Sequence, residues 1–272
     1  GERLERWGKY ILVRPDPQVI WHGERKVSGW RNADGVYRRS KSGGGGWTVN
    51  RLPDEWNINY GELRFVLKPM GFKHTGLFPE QAANWATMID LISKARRPIK
   101  VLNLFAYTGG ATVACLSAGA SVCHVDAAKN MVEVAKQNVA LSGLSDRPVR
   151  YIVDDCRKFV KREINRGHTY DAIIMDPPSF GRGAGGEEWK LERDICDFLQ
   201  LCMKVLSDNP LFVLLNSYTT GLQPAVLYDL LLRTVPFEGN ITSYEVCLPT
   251  DEKTVLPCGA SGLFTAKGVE NE

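Results

Sequence analysis

VLNLFAYTGGATVACLSAGASVCHVD, from Val101 to Asp126, decides how the rest of this 272-residue chain is read. The apolar run Val101 to Phe105 predicts a buried strand and Tyr107-Thr108-Gly109-Gly110 a tight turn. Ala111 to Ala118 reads as a helix and Val122 to Val125 as the next strand, so the stretch is one βαβ unit. Gly109 and Gly110 allow a sharp turn with no side chain between backbone and ligand, and the helix behind them offers unpaired N–H groups. Asp126 ends the second strand about 20 residues past the turn, where a doubly wound fold holds a ribose hydroxyl. A nucleoside cofactor follows.

Dinucleotide sites place three glycines as G-x-G-x-x-G around a pyrophosphate. Here the turn is F-A-Y-T-G-G-A, with two adjacent glycines preceded by Thr, which argues against pyrophosphate. The motif resembles the first motif of class I S-adenosylmethionine-dependent methyltransferases, a hydrophobic strand followed by F-x-Y-T-G-G. The resemblance implies S-adenosyl-L-methionine as cofactor, with Phe105, Tyr107, Thr108, Gly109, Gly110, Asp126 and Ala127 around it.

Downstream, Lys129 to Leu141 predicts an amphipathic helix ended by Gly143, then a strand at Val149 to Val153. Asp154-Asp155-Cys156 closes that strand. The resemblance gives Asp155 the adenine amino group and Cys156 a backbone contact, while either acid can equally cap a helix. Tyr170 to Met175 predicts a fourth strand leading into Asp176-Pro177-Pro178-Ser179-Phe180. Two prolines remove donors and fix the backbone, so the Asp176 side chain and the carbonyls project rigidly from the strand end. This resembles the fourth methyltransferase motif, [DN]-P-P-[YFSK], at the expected spacing. Gly181, Gly183, Gly185 and Gly186 predict a mobile loop over the substrate. Glu187 to Leu206 reads as a helix, Leu211 to Leu215 as a strand and Pro224 to Arg233 as a helix. Ile241 to Leu248 and Gly262 to Ala266 complete the sheet. The alternation predicts an α/β fold, doubly wound and Rossmann-like, with ligands at the carboxyl ends of its strands. The resemblance covers roughly residues 72–266 and implies a seven-stranded methyltransferase sheet with an antiparallel last strand.

Upstream, Phe72 to Trp85 (FKHTGLFPEQAANW) leads into a helix running to about Ala95, with Pro79 suited to its first turn. The segment resembles G-x-F-x-[DE]-Q-x-x-N, which precedes the catalytic domain in a bacterial family of large-subunit ribosomal RNA methyltransferases. Gly76, Phe78, Glu80, Gln81 and Asn84 fit it, and the resemblance implies cofactor contacts from Phe78 and Gln81. Ala82 and Trp85 stand where arginines are usual.

Residues 1–71 predict a small β domain in front of a methyltransferase domain at 72–272. Short alternating stretches (Tyr10 to Val13, Val19 to Trp21, Val36 to Arg38, Trp47 to Val49, Leu63 to Leu67) are separated by Gly, Pro, Asn and Asp clusters. Gly43 to Gly46 reads as a hairpin loop. Trp7, Trp21, Trp30, Trp47 and Trp56 lie among Arg14, Arg25, Lys26, Arg31, Arg38, Arg39 and Lys41. Such a mixture suits single-stranded RNA, and it also suits a sheet domain whose tryptophans are simply core. Residues 1–97 hold 17 Lys and Arg against 10 Asp and Glu, a net +7, leaving 17 against 21, a net −4, for the remainder. The basic front suggests an anionic partner.

A 44% hydrophobic fraction, a mean hydropathy of −0.21 and no apolar run near the roughly 18 residues of a membrane span describe a soluble, cytoplasmic globular protein. The seven cysteines are scattered without C-x-x-C pairing or His partners, which predicts reduced thiols and no metal site. Methylation at C5 of a pyrimidine needs a Cys thiolate that adds to the ring first. In related enzymes it follows the fourth or fifth strand, where this chain reads DPPSF and Asn216-Ser217-Tyr218. A base nitrogen is therefore the expected target, either a lone-pair nitrogen such as guanine N7 or an exocyclic amine held by Asp176 and the Pro177 carbonyl. Phe180 would stack on the base, and Asn216 or Tyr218 would line the pocket. The expected activity is methylation of RNA, ribosomal RNA in the first place, by S-adenosylmethionine. The competing readings are a small-molecule or protein methyltransferase on the same core, and a catalytically idle RNA-binding protein.

Overall fold

In the computed structural model, which describes residues 1–40, 44–71, 73–182 and 188–268, short stretches at the front of the chain pair into two small sheets. The first joins β1 (Glu2–Trp7), β2 (Tyr10–Pro15), β3 (Gly35–Arg39) and β4 (Gly45–Asn50) in that order, with a short helix α1 (Gly29–Asn32) between β2 and β3. The second is the pair β5 (Trp56–Tyr60) and β6 (Leu63–Leu67). Alternation did not single out β1 or β5. Val19 to Trp21 is not a strand, because Asp16 Oδ1 accepts from Gln18 N at 2.9 Å and turns the chain out of β2. Ile20 and Trp21 are exposed there. Gly43 lies outside the described residues, and Gly45 and Gly46 belong to β4 rather than to a loop.

Most of the front tryptophans pack the unit itself. Trp7 is buried, Trp56 Nε1 donates to Trp7 O at 3.2 Å, and Trp47 Nε1 donates to Met70 O at 3.0 Å. Trp21 stands apart at 50% exposure. Arg14, counted above among the basic residues, is also internal. It grips Glu5 through Nε (2.6 Å) and Nη2 (2.9 Å) and lies over the Trp7 ring. The pair is stable in the interior because both charges are hydrogen-bonded.

The chain divides into two compact units, Gly1–Phe78 with Pro249–Leu256, and Pro79–Leu248 with Pro257–Glu272. Where the sequence suggested a boundary at residue 71, the units part at residue 78, and the first takes back a later segment.

The second unit opens with a 3-10 turn at Pro79–Gln81, α2 (Ala82–Lys94) and the βαβ unit β7 (Lys100–Leu104), α3 (Gly110–Ser117) and β8 (Ser121–Asp126). Then follow α4 (Lys129–Leu141), β9 (Val149–Val153), α5 (Cys156–Arg166) and β10 (Ala172–Met175). α5 was anticipated only as a helix that one of Asp154 and Asp155 could cap, without a range. A hairpin of β11 (Phe180–Arg182) and β12 (Glu188–Lys190) precedes α6 (Leu191–Met203), so the helix expected from Glu187 starts later. The hairpin is closed by Trp189 Nε1 donating to Pro178 O at 2.7 Å and Leu191 N to Ser179 O at 3.0 Å. Gly181 is part of β11, and Gly183, Gly185 and Gly186 lie outside the described residues. β13 (Phe212–Ser217), α7 (Pro224–Thr234), β14 (Gly239–Pro249) and β15 (Val255–Ala266) complete the chain's elements.

Seven of these strands form one sheet in the order β14-β15-β13-β10-β7-β8-β9. From β13 to β9 the pairings are parallel, and β15 runs antiparallel to β13. Helices therefore cross between the parallel strands, and a strand such as β10 is apolar on both faces. Leu102, Leu104, Ile173, Met175, Val213 and Leu215 are buried against Phe159, Phe198 and Leu199 of the helices. Each contributes about 1.5–3 kcal/mol through removal from water. The register sets Met175 beside Leu104 and Leu215, so five parallel strands deliver their carboxyl ends to one edge.

Candidate functional site

At that edge the β7–α3 turn is held in an unusual backbone. Phe105 and Tyr107 take φ of 54° and 49°, and Gly109 takes 81°. Positive φ in two bulky residues costs free energy and persists only where the surroundings impose it. Asp126 imposes it here. Its Oδ2 accepts from Tyr107 N and its Oδ1 from Ala128 N, each at 2.8 Å, which ties the turn to the end of β8. Burial raises the Asp126 pKa and these two N–H donors pull it back. Each carboxylate oxygen has a second lone pair, so the half-buried group keeps capacity for a ribose hydroxyl. At Gly109 a Cβ would come 2.9 Å from Ala135 Cβ. Gly110 is equally restricted, since a Cβ there would lie 2.8 Å from the Trp85 ring.

The other residues expected around the cofactor are less uniform. The Phe105 ring packs at 5.4 Å from Trp189 and 5.7 Å from Phe198, so its backbone rather than its ring faces the turn. Thr108 is buried and its carbonyl accepts from Asn138 Nδ2 at 2.8 Å. Ala127 is exposed. Asp155 is the N-cap of α5, accepting from Lys158 N at 2.9 Å, while Asp154 pairs with Arg162. Cys156 Sγ accepts from Phe105 N at 3.3 Å, and burial pushes its thiol far above the usual range. Phe78 belongs to the first unit, where its ring packs against His74 at 5.4 Å.

Gln81 and Asn216 sit in a buried amide cluster. Asn84 Nδ2 donates to Gln81 Oε1 (2.7 Å), Ser261 Oγ (3.0 Å) and Asn216 Oδ1 (3.1 Å), and accepts at Oδ1 from Tyr244 Oη at 2.6 Å. Asn216 Nδ2 reaches Gln81 Oε1 at 3.2 Å, and Gln81 Nε2 donates to Tyr218 Oη at 2.7 Å. Sequence reasoning set Asn216 on the pocket wall. At 3% exposure, with its amide engaged on both sides, it is instead a strut behind that wall. Ser261 and Tyr244 were missed as site-building residues and Asn84 was picked out only as a motif match, because its partners other than Gln81 lie 132–177 positions away in the chain.

Asp176 stands at the end of β10, half-buried, with Pro177 buried and Pro178 exposed. Burial first, and the nearby Glu80 carboxylate second, push its pKa up to about 7. Phe180 is 49% exposed with the Arg182 guanidinium 5.8 Å from its ring centre. An apolar face beside a rigid carboxylate and carbonyl suits a flat, hydrogen-bonding ligand. Among the described residues, no three His, Cys, Asp or Glu are gathered as a metal site, and no helix is long and apolar enough to cross a membrane.

Known proteins are similar to this chain in sequence and fold. Residues 32–236 match the family model described as S-adenosylmethionine-dependent methyltransferase. A SAM-dependent methyltransferase from Agrobacterium tumefaciens superposes with a TM-score of 0.92 at 35% identity, covering 98% of this chain and 88% of that one. The ribosomal RNA large subunit methyltransferase K/L of Shewanella frigidimarina is 34% identical over 156 residues, which is 57% of this chain and 21% of that protein. The chain thus spans about a fifth of the length of the curated relatives it matches. A methyltransferase structure solved in complex with SAH shares the fold, with a TM-score of 0.75 at 19% identity, covering 97% of this chain and 72% of that one.

Proposed function

The chain belongs to the S-adenosylmethionine-dependent methyltransferase family, and from that membership we propose that it methylates a nitrogen of an RNA base, with ribosomal RNA as substrate. The observation that carries the reading is the rigid Asp176-Pro177-Pro178 strand end beside an exposed Phe180, on the same sheet edge as the Gly109 turn and Asp126. The name of the Shewanella relative supports RNA, as does the net +7 of residues 1–97.

The residues present fit the cofactor, because Asp126 ties the glycine turn to the end of β8 and still keeps acceptor capacity. Phe105, Tyr107, Gly109 and Gly110 would hold it by backbone, Asp126 and Ala127 at the ribose, Asp155 and Cys156 at the adenine, with Gln81 completing the site. Thr108 serves that turn from beneath. When bound, the cofactor supplies an electrophilic methyl group on a sulfonium. Asp176 and the Pro177 carbonyl orient the acceptor nitrogen and Phe180 stacks on the base, so the protein's main contribution is near-attack geometry. Asn216 acts one layer back, by holding Gln81 and through it Tyr218. We assign methyl transfer to residues 72–272 and RNA contact to the basic segment 1–71.

The test is transfer of labelled methyl from S-adenosylmethionine to unmodified ribosomal RNA, beside a small-metabolite extract, followed by digestion to nucleosides. Label in a single nucleoside is expected. Label confined to small metabolites would refute the RNA reading.

A further inference from the structure

Two carboxylates and a phenol converge where β10 and β13 end. Parallel pairing of Met175 with Leu215 brings Asp176 and Asn216 out side by side, with Tyr218 two residues further on. The 3-10 turn Pro79–Gln81 is pinned to this edge by Gln81, which donates to Tyr218 Oη and accepts from Asn216 and Asn84. Glu80, adjacent to Gln81 and only 6% exposed, is carried to the same place. Its charge is felt at both Asp176 and Tyr218. Tyr218 is backed by Gly259, where a Cβ would stand 2.9 Å from the phenol ring, and its titration also feels Cys258. The amide cluster makes this turn a fixed part of the wall.

Ionised carboxylates only accept hydrogen bonds. Set around an acceptor nitrogen, they repel an in-plane lone pair such as that of N7 and favour a nitrogen that still carries hydrogen. We propose that Glu80 is a second carboxylate of the methyl-acceptor pocket and that, with Asp176, it selects a base nitrogen bearing N–H, either an exocyclic amine or a ring N–H. The inference rests on the RNA-base reading above and narrows it. In the step, the nitrogen lone pair forms the new N–C bond and the C–S bond breaks with its electron pair returning to sulfur. The displaced N–H proton passes to the Asp176 carboxylate and from there to water. Glu80 accepts a second hydrogen bond from the same base edge. Its negative charge also makes Asp176 a stronger proton acceptor.

The experiment uses the full chain and ribosomal RNA, with the methylated nucleoside identified and the pH–rate profile recorded for the parent, Glu80→Gln and Glu80→Asp. S-adenosylmethionine affinity is measured separately by calorimetry. The parent is expected to label an amine or ring N–H nitrogen, with transfer falling as pH drops through about 7, where Asp176 takes up its proton. Glu80→Gln should keep cofactor affinity, lose about tenfold in transfer, the equivalent of one hydrogen bond, and move the acidic limb to lower pH. Glu80→Asp should recover part of both. Label on N7 or on carbon would overturn the inference while leaving RNA methylation standing, as would a Glu80→Gln profile identical to the parent's. No label in RNA would overturn both. Should Glu80→Gln fail to fold, the labelled atom of the parent and the Glu80→Asp profile still decide.

Discussion

Replacing Asn84 by Leu tests how the pocket wall is held. Leu has the same branching and number of side-chain heavy atoms with bulkier methyl groups, so the change removes polarity and opens no cavity. Three acceptors lose a donor, yet Gln81 Oε1 keeps Asn216 Nδ2 at 3.2 Å and Asn216 Oδ1 keeps Ser261 Oγ at 2.6 Å. Those two losses cost little beyond the bond itself. Tyr244 Oη loses its 2.6 Å acceptor, and a part-buried hydroxyl so stripped costs about 1–3 kcal/mol. The sum is about 3 kcal/mol. Urea unfolding followed by tryptophan fluorescence reads it as a lower midpoint at an unchanged slope. Tyr244→Phe in the same assay supplies the second arm of a double-mutant cycle, with a coupling of about 1 kcal/mol expected. A loss below about 1 kcal/mol, or additive single effects, would show that the amides do not brace one another.

Three further outcomes follow from the same geometry. Gly109→Ala places a Cβ at φ 81° and 2.9 Å from Ala135, and it should cost about 2–4 kcal/mol in chemical denaturation. A double change with Ala135→Gly should recover the contact part but not the backbone part. Asp126→Asn keeps one acceptor but turns an NH2 toward a backbone N–H, so calorimetry should show S-adenosylmethionine affinity lowered at least about tenfold; equal affinity would remove Asp126 from the site. For Asp176, burial and Glu80 raise the folded pKa to about 7 from an unfolded value near 4. The folded state therefore holds the extra proton between those values, so this group's favourable contribution is complete at low pH and lost as pH rises through 7. Asp176→Asn should gain stability relative to the parent between pH 5 and pH 8, and a pH-independent difference would contradict the raised pKa.

The βαβ stretch, the helix Lys129–Leu141 and the strand Val149–Val153 were legible in the sequence because local periodicity and their own turns specify them. The cofactor turn was legible for the same reason, since a strand, two glycines and a helix start are consecutive residues. Less legible was whatever depends on a distant partner. Asn216 reads as a polar strand end, and only Gln81 and Asn84, brought from 135 and 132 positions away, make it a strut. Asp155 and Asp154 are indistinguishable as neighbours until α5 exists for one of them to cap. β1 and β11 are edge strands whose composition carries little alternation, and pairing across a turn defines them. Val19 to Trp21 shows the reverse, an apolar triplet with strand composition but no ladder.

β15 lies inside the sheet, between β14 and β13, although it comes last among the strands. Its Ser261 reaches into the amide cluster through Asn84 and Asn216. On the ribosome, β7 to β13 can emerge and begin to pair while residues 255–266 are still inside the exit tunnel. Until that segment is released, β13 presents an open edge and Asn84 and Asn216 lack one of their partners. Assembly of the acceptor wall thus comes later in synthesis than that of the glycine turn, and a nascent chain stalled before residue 261 would carry that turn and Asp126 while Asp176 and Glu80 are not yet braced.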